Sequence, residues 1–144
     1  MTTREYLESY QYLGMNIEHA EEQLKKVAEE VASIQAIDYS KEKIQASPQN
    51  DPIGNLVIEV TKEKTVLCMK ILGYKAKKNL IENQIDRLKD IDVKSYILLF
   101  RIYIAGEGSH NVRMKHSSAR SFYRDLAKAE SVFEKYFGIS YKNL

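Results

Sequence analysis

Between Tyr6 and Ile34 the apolar residues follow one another at steps of 4, 3, 4, 3, 4, 3, 4 and 3 (Tyr6, Tyr10, Leu13, Ile17, Ala20, Leu24, Val27, Val31, Ile34). That spacing is the a/d seam of a coiled coil or helical hairpin. It predicts one long helix over residues 2–36, about 50 Å in length at the usual rise per residue. Thr2 and Glu5 are placed as a capping box at its start. Gly14 costs roughly 1 kcal/mol relative to alanine, which so long a helix tolerates.

The period is lost over 37–50 (IDYSKEKIQASPQN), where Ser, Pro, Gln and Asn enter. This predicts a loop of about 14 residues, near the upper limit for compact folds. Asp51 and Pro52 then restart a helix as N-cap and N1, where the missing proline N–H does no harm. Ile53, Val57, Val60, Lys64, Leu67, Ile71, Tyr74, Lys78, Ile81, Ile85 and Leu88 again alternate steps of 4 and 3. Two lysines interrupt this second seam. Either they specify register or oligomer state, or their stems snorkel to water. Two heptad helices joined by a loop fold back as an antiparallel hairpin or pair between chains. A lone hairpin buries only one stripe per helix, so a homodimer is expected. Asp90-Ile91-Asp92 breaks the second helix. The predicted division is therefore 1–90, a hairpin with its loop at about 37–51, and 91–144.

Residues 91–144 read as three helical pieces on short turns. The first is Ser95–Ala105 (SYILLFRIYIA), broken by Gly106-Glu107-Gly108. The second is Ser109–Lys115 (SHNVRMK). His116-Ser117-Ser118 opens the third, Ala119–Phe137 (ARSFYRDLAKAESVFEKYF). A buried helix, a turn, a short helix, a turn and a longer basic helix is the layout of a helix-turn-helix DNA reader. Formal net charge is only +2, yet residues 1–90 carry 13 Lys+Arg against 15 Asp+Glu, and residues 91–144 carry 9 against 5. The basic excess sits where the reader sits.

In the last helix Phe122, Leu126, Ala129, Phe133 and Tyr136/Phe137 share one face. Arg120, Arg124 and Lys128 stand at i, i+4 and i+8 on another, with Tyr123 beside them. Ser118, Arg120 and Ser121 fall in the first turn, which in such readers reaches base edges, and Arg124 follows one turn later. An arginine fork can donate two parallel bonds to a guanine edge. Arg113, Lys115, His116 and Lys128 are placed to hold phosphates and set register. The plain alternative is a solvated charged face.

Other chemistry has little support. His19, His110 and His116 are far apart and form no metal-ligand spacing, so no metal or cofactor is expected. No GxSxG, P-loop or GxGxxG occurs, and Gly106-Glu107-Gly108 reads as a turn. Cys68 is the only cysteine, which excludes an intrachain disulfide and fits a reducing compartment. It lies one residue past a seam position and reads as half-buried packing. Many of the ten tyrosines fall at or beside seam positions, so they read as core. The polar, acidic N-terminus is no secretory signal, and no apolar run approaches the roughly 20 residues of a transmembrane helix. A cytoplasmic, non-enzymatic protein with no membrane partner is expected.

Leu98-Leu99-Phe100-Arg101-Ile102-Tyr103-Ile104-Ala105-Gly106, a short helix, and Ser118-Ala119-Arg120-Ser121-Phe122-Tyr123-Arg124 together resemble the sigma-factor region-4-like helix-turn-helix. The upstream half, with Gln45-Ala46-Ser47-Pro48-Gln49-Asn50-Asp51 between two long helices, is similar to RinA/ArpU-type late transcription regulators of Gram-positive phages. The stretch His110–His116 departs from that pattern. It has no acidic pair, Arg113 replaces a small residue, and no glycine sits in the turn. The resemblance implies a sequence-specific transcription regulator of phage or prophage origin, acting in the bacterial cytoplasm on double-stranded DNA, with RNA polymerase as a further partner. The competing expectation is a helical protein–protein interaction module, a coiled-coil adaptor whose C-terminal domain docks a protein. The fold class expected under either is all-α.

Overall fold

The computed structural model describes residues 1–40 and 52–142. Five α-helices follow in order: α1 (Thr3–Ser40), α2 (Pro52–Arg87), α3 (Val93–Leu99), α4 (Gly108–Lys115) and α5 (Ala119–Lys142). A 3-10 turn, Leu88–Asp90, follows α2, and a π-helical segment, Phe100–Ile104, extends α3. The described residues contain no strand, so the all-α expectation holds.

Local signals explain the helix starts. The Thr2 N–H donates to Glu5 Oε2 at 2.9 Å, and the Glu5 N–H donates to Thr2 Oγ1 at 3.2 Å. This is the reciprocal capping box the sequence implied. Asp92 caps α3, accepting from the N–H groups of Lys94 and Ser95 and from the Ser95 hydroxyl at 2.8 Å. Ser118 caps α5: its Oγ accepts from the Ser121 N–H at 3.1 Å, and its carbonyl accepts from Phe122.

The helix ends correct the sequence reading at three places. α1 continues to Ser40, four residues into the expected loop. Neither glycine nor proline stands between Gly14 and Pro48, and losing the apolar period does not by itself stop a helix. The remainder of the expected loop, with the Gln45–Asp51 linker and the Asp51 N-cap, lies outside the described residues. α3 begins at Val93 rather than Ser95, because Asp92 supplies the cap. α5 runs through Gly138 to Lys142, beyond the expected end at Phe137. Buried Tyr141 holds that extension: its ring stacks on Tyr6 at 4.5 Å and its hydroxyl bonds that of Thr3.

The chain divides into two compact units, Met1–Met15 with Ala76–Leu144, and Asn16–Lys75. The packing therefore does not divide at the expected 90/91 boundary. The physical reason is that the first turns of α1 pack with the C-terminal helices. Tyr6 lies against Phe133 and Tyr141, and Arg4 donates to both Glu130 carboxylate oxygens at 3.0 and 3.4 Å.

The Asn16–Lys75 unit is an antiparallel pair of helix segments. Val27, Val60 and Leu67 form its core, flanked by Leu24, Val31 and Ile34, and Lys75 pairs with Glu21 at 3.3 Å. The seam that could have joined two chains is filled here within one. In the other unit, the Tyr6 hydroxyl donates to Gln84 Oε1 at 2.6 Å and the Tyr10 hydroxyl to Glu82. Lys78, an interruption of the α2 seam, lies over the Tyr10 ring at 5.7 Å, while Lys64 is exposed. Leu7, Ile85, Leu88, Leu99, Val112 of α4 and Phe133 of α5 are fully buried.

Candidate nucleic-acid interface

Two glycines set the approach to α4. Gly106 has φ +75 and Gly108 φ +80, the left-handed region that side chains disfavour. Gly106 follows the π segment, where the Ala105 N–H reaches back to the Phe100 carbonyl and the Glu107 N–H to Arg101. α4 then ends at Lys115, and the extended His116 (φ −80, ψ 158) leads to the Ser118 cap. The link between α4 and α5 is thus three residues, with no left-handed position among them.

α5 shows the two faces its sequence demanded. Phe122, Leu126, Ala129, Phe133 and Phe137 are buried, whereas Tyr136, offered as an alternative to Phe137, is exposed. Arg120, Arg124 and Lys128 are all exposed on the outer side, with exposed Tyr123 nearby. Arg120 and Lys128 make no ion pair among the described residues. Ser121 is half-buried. The exposed Ser118 hydroxyl accepts the Ser121 N–H and keeps its own proton free to donate.

The remaining candidates are held by neighbours. Arg113 donates to the Tyr123 hydroxyl and contacts His110 Nδ1, both at 3.1 Å, tying α4 to α5. Lys115 pairs with Glu107 at 3.3 Å, and Arg101 pairs with the same carboxylate at 2.7 Å. The Arg101 bond, with help from Lys115, holds the Glu107 carboxyl below its usual range. His116 Nε2 lies 3.0 Å from Asp125, and its ring meets Phe122 edge-on. Arg124 reaches the other Asp125 oxygen at 3.6 Å. The His116 bond is the main reason the Asp125 carboxyl is lowered.

His116, Arg124 and Lys128 come together on one side of α5. With Lys94, Ser95, Ile97 and Arg101 they line a cleft of about 560 Å³ between α3 and α5. Asp92 and Asp125 are its acids, and Asp92 is lowered chiefly by the Ser95 hydroxyl. Five basic side chains against two carboxylates suit a phosphate backbone better than a neutral ligand. Arg113 does not join them. It lines a separate hollow with Arg4, Glu8, His110 and Tyr123.

Sequence reasoning missed Lys94 and Arg101. Arg101 lies in an apolar run that reads as buried, yet it is half-exposed where the π segment widens the helix. Lys94 sits beside the break at Asp92, and nothing in its spacing marks it. Among the described residues no group of three His, Cys, Asp or Glu could hold a metal ion, and no helix is long and apolar enough to cross a membrane. Comparison with protein-family models, with curated proteins and with solved structures finds no match to this chain.

Proposed function

We propose that this chain is a non-enzymatic, sequence-specific DNA-binding regulator whose reading element is the first half of α5. The observation that carries the proposal is the two-sided character of that helix. One side is locked into the core by Phe122, Leu126 and Phe133, and the other presents Arg120, Arg124 and Lys128 to solvent at successive turns. Ser118, Arg120 and Ser121 lie at the capped start of α5, and in a major-groove reader that turn is the one that contacts bases, which supports the reading. Lys128, His116 and Lys115, with Lys94 and Arg101, supply the phosphate-facing charge. On the sequence resemblance, the setting is a phage or prophage late-transcription regulator in the bacterial cytoplasm, with RNA polymerase as second partner.

Four of the basic groups already have carboxylate partners: Arg101 and Lys115 on Glu107, Arg124 and His116 on Asp125. These pairs are partly open to solvent and are screened by salt, so a phosphate can displace the carboxylate. Fluorescence titration of a random duplex over a range of salt concentrations tests the electrostatic half. A plot of log affinity against log salt should fall with a slope near −0.9 for each phosphate engaged. A flat plot, or no binding at low salt, would leave the domain as a protein-docking element.

A further inference from the structure

Within the unit that joins Met1–Met15 to Ala76–Leu144, a hollow of about 350 Å³ lies between α1, α2 and the end of α5. α1 contributes Tyr6, Ser9 and Leu13, spaced by 3 and 4 along one side of the helix. α2 contributes Lys77, Leu80 and Ile81, and α5 contributes Tyr141 and Lys142. Tyr6, Leu13, Ile81 and Tyr141 are the buried part of the lining, whereas Lys77, Leu80 and Lys142 are exposed. Ser9 leaves the room. It is the shortest side chain of the α1 wall, and its hydroxyl donates back to the Tyr6 carbonyl instead of reaching across.

The lining decides the ligand. Its polar groups are already engaged: the Tyr6 hydroxyl donates to Gln84, Ser9 to the Tyr6 carbonyl, and the Tyr141 hydroxyl bonds that of Thr3. A sugar or nucleoside would find few free partners here, and burying its hydroxyls unpaired is costly. A hydrocarbon chain has no such cost and gains burial against Leu13, Leu80 and Ile81. The charge has one sign. Lys77 and Lys142 stand on different walls, and among the described residues no carboxylate lines the hollow. Lys77 makes no ion pair among the described residues, and Lys142 holds Glu134, outside the lining, at 2.8 Å. We infer that the hollow binds a small amphiphile with an aliphatic body and one carboxylate, the chain against the leucines and Ile81 and the head on Lys77, with Lys142 as the second cation. A mostly apolar cavity of this size with a few placed polar groups is the usual form of a small-molecule site. It uses the opposite end of α5 from Arg120 and Arg124, so it stands or falls independently of DNA binding.

Titration calorimetry of the full chain with sodium octanoate, kept below the concentration at which it aggregates, tests this. Octanoate should bind saturably, one per chain. Octylammonium, with the same chain and the opposite charge, should bind at least about tenfold more weakly. Lys77→Glu should weaken octanoate at least about tenfold and turn the preference toward octylammonium. Leu80→Glu, which sets a carboxylate in the lining, should abolish octanoate binding. Both side chains are exposed, so helicity should stay unchanged in both variants. No saturable octanoate binding, equal binding of octylammonium, or octanoate affinity untouched by Lys77→Glu or by Leu80→Glu would each overturn the inference.

Discussion

Tyr6 shows how much of this molecule rests on single side chains. Its ring stacks on Tyr141 and tilts against Phe133, and its hydroxyl donates to buried Gln84. Burial pushes its phenol from 10.0 up to about 12. The folded chain therefore holds this proton more tightly than the unfolded one. The stabilising contribution is complete below pH 10 and is lost as pH rises toward 12. Tyr6→Phe should cost about 1–3 kcal/mol, since Gln84 loses its buried donor. It should also flatten the alkaline limb of a plot of melting temperature against pH. Tyr103, likewise raised to about 12 by burial, keeps some of that limb in the variant. An unchanged limb would mean the Tyr6 hydroxyl is solvated.

At the scale of elements, α5 and the turn before α4 make separable predictions. Phe122→Ala should lower stability by about 3–5 kcal/mol, as for other buried phenylalanines, whereas Arg124→Ala should stay within about 0.5 kcal/mol. Thermal melts compare them directly. An arginine variant that melts as low as the phenylalanine one would reverse the face assignment. Gly106→Ala should cost about 1–2 kcal/mol through its left-handed backbone alone. Nothing stands within 4 Å of the added Cβ, so denaturant titration should show no further steric loss.

The elements also show what the sequence could express. The heptad spacing of α1 and α2, the Thr2–Glu5 box and the apolar face of α5 were legible because each is a local pattern. The extension of α5 to Lys142 was not, because Gly138 suggests a stop and tertiary contacts of Tyr141 carry the helix past it. The π segment at Phe100–Ile104 has no local signature, and with it the exposure of Arg101 was hidden. Of the candidate interface, the charge stripe on α5 could be read. Glu107 and Asp125 could be read as acids that dilute it, but not their pairing with Lys115, His116 and Arg124, since ion pairing depends on how α3, α4 and α5 pack.

For the whole molecule, the described residues show one structural idea used twice. A long helix pair closes its own seam, and the first turns of α1 return to support the C-terminal helices. The central claim is that α5 reads sequence. It is tested most directly by titrating the full chain with DNA flanking its own gene and with random duplex, each at two salt concentrations. The account predicts that Arg120→Ala and Arg124→Ala each weaken the preferred site by about 1–3 kcal/mol and random DNA by less. Lys115→Ala should weaken both alike and reduce the salt slope by about one. Equal binding to both DNAs, or indifference to all three substitutions, would contradict it.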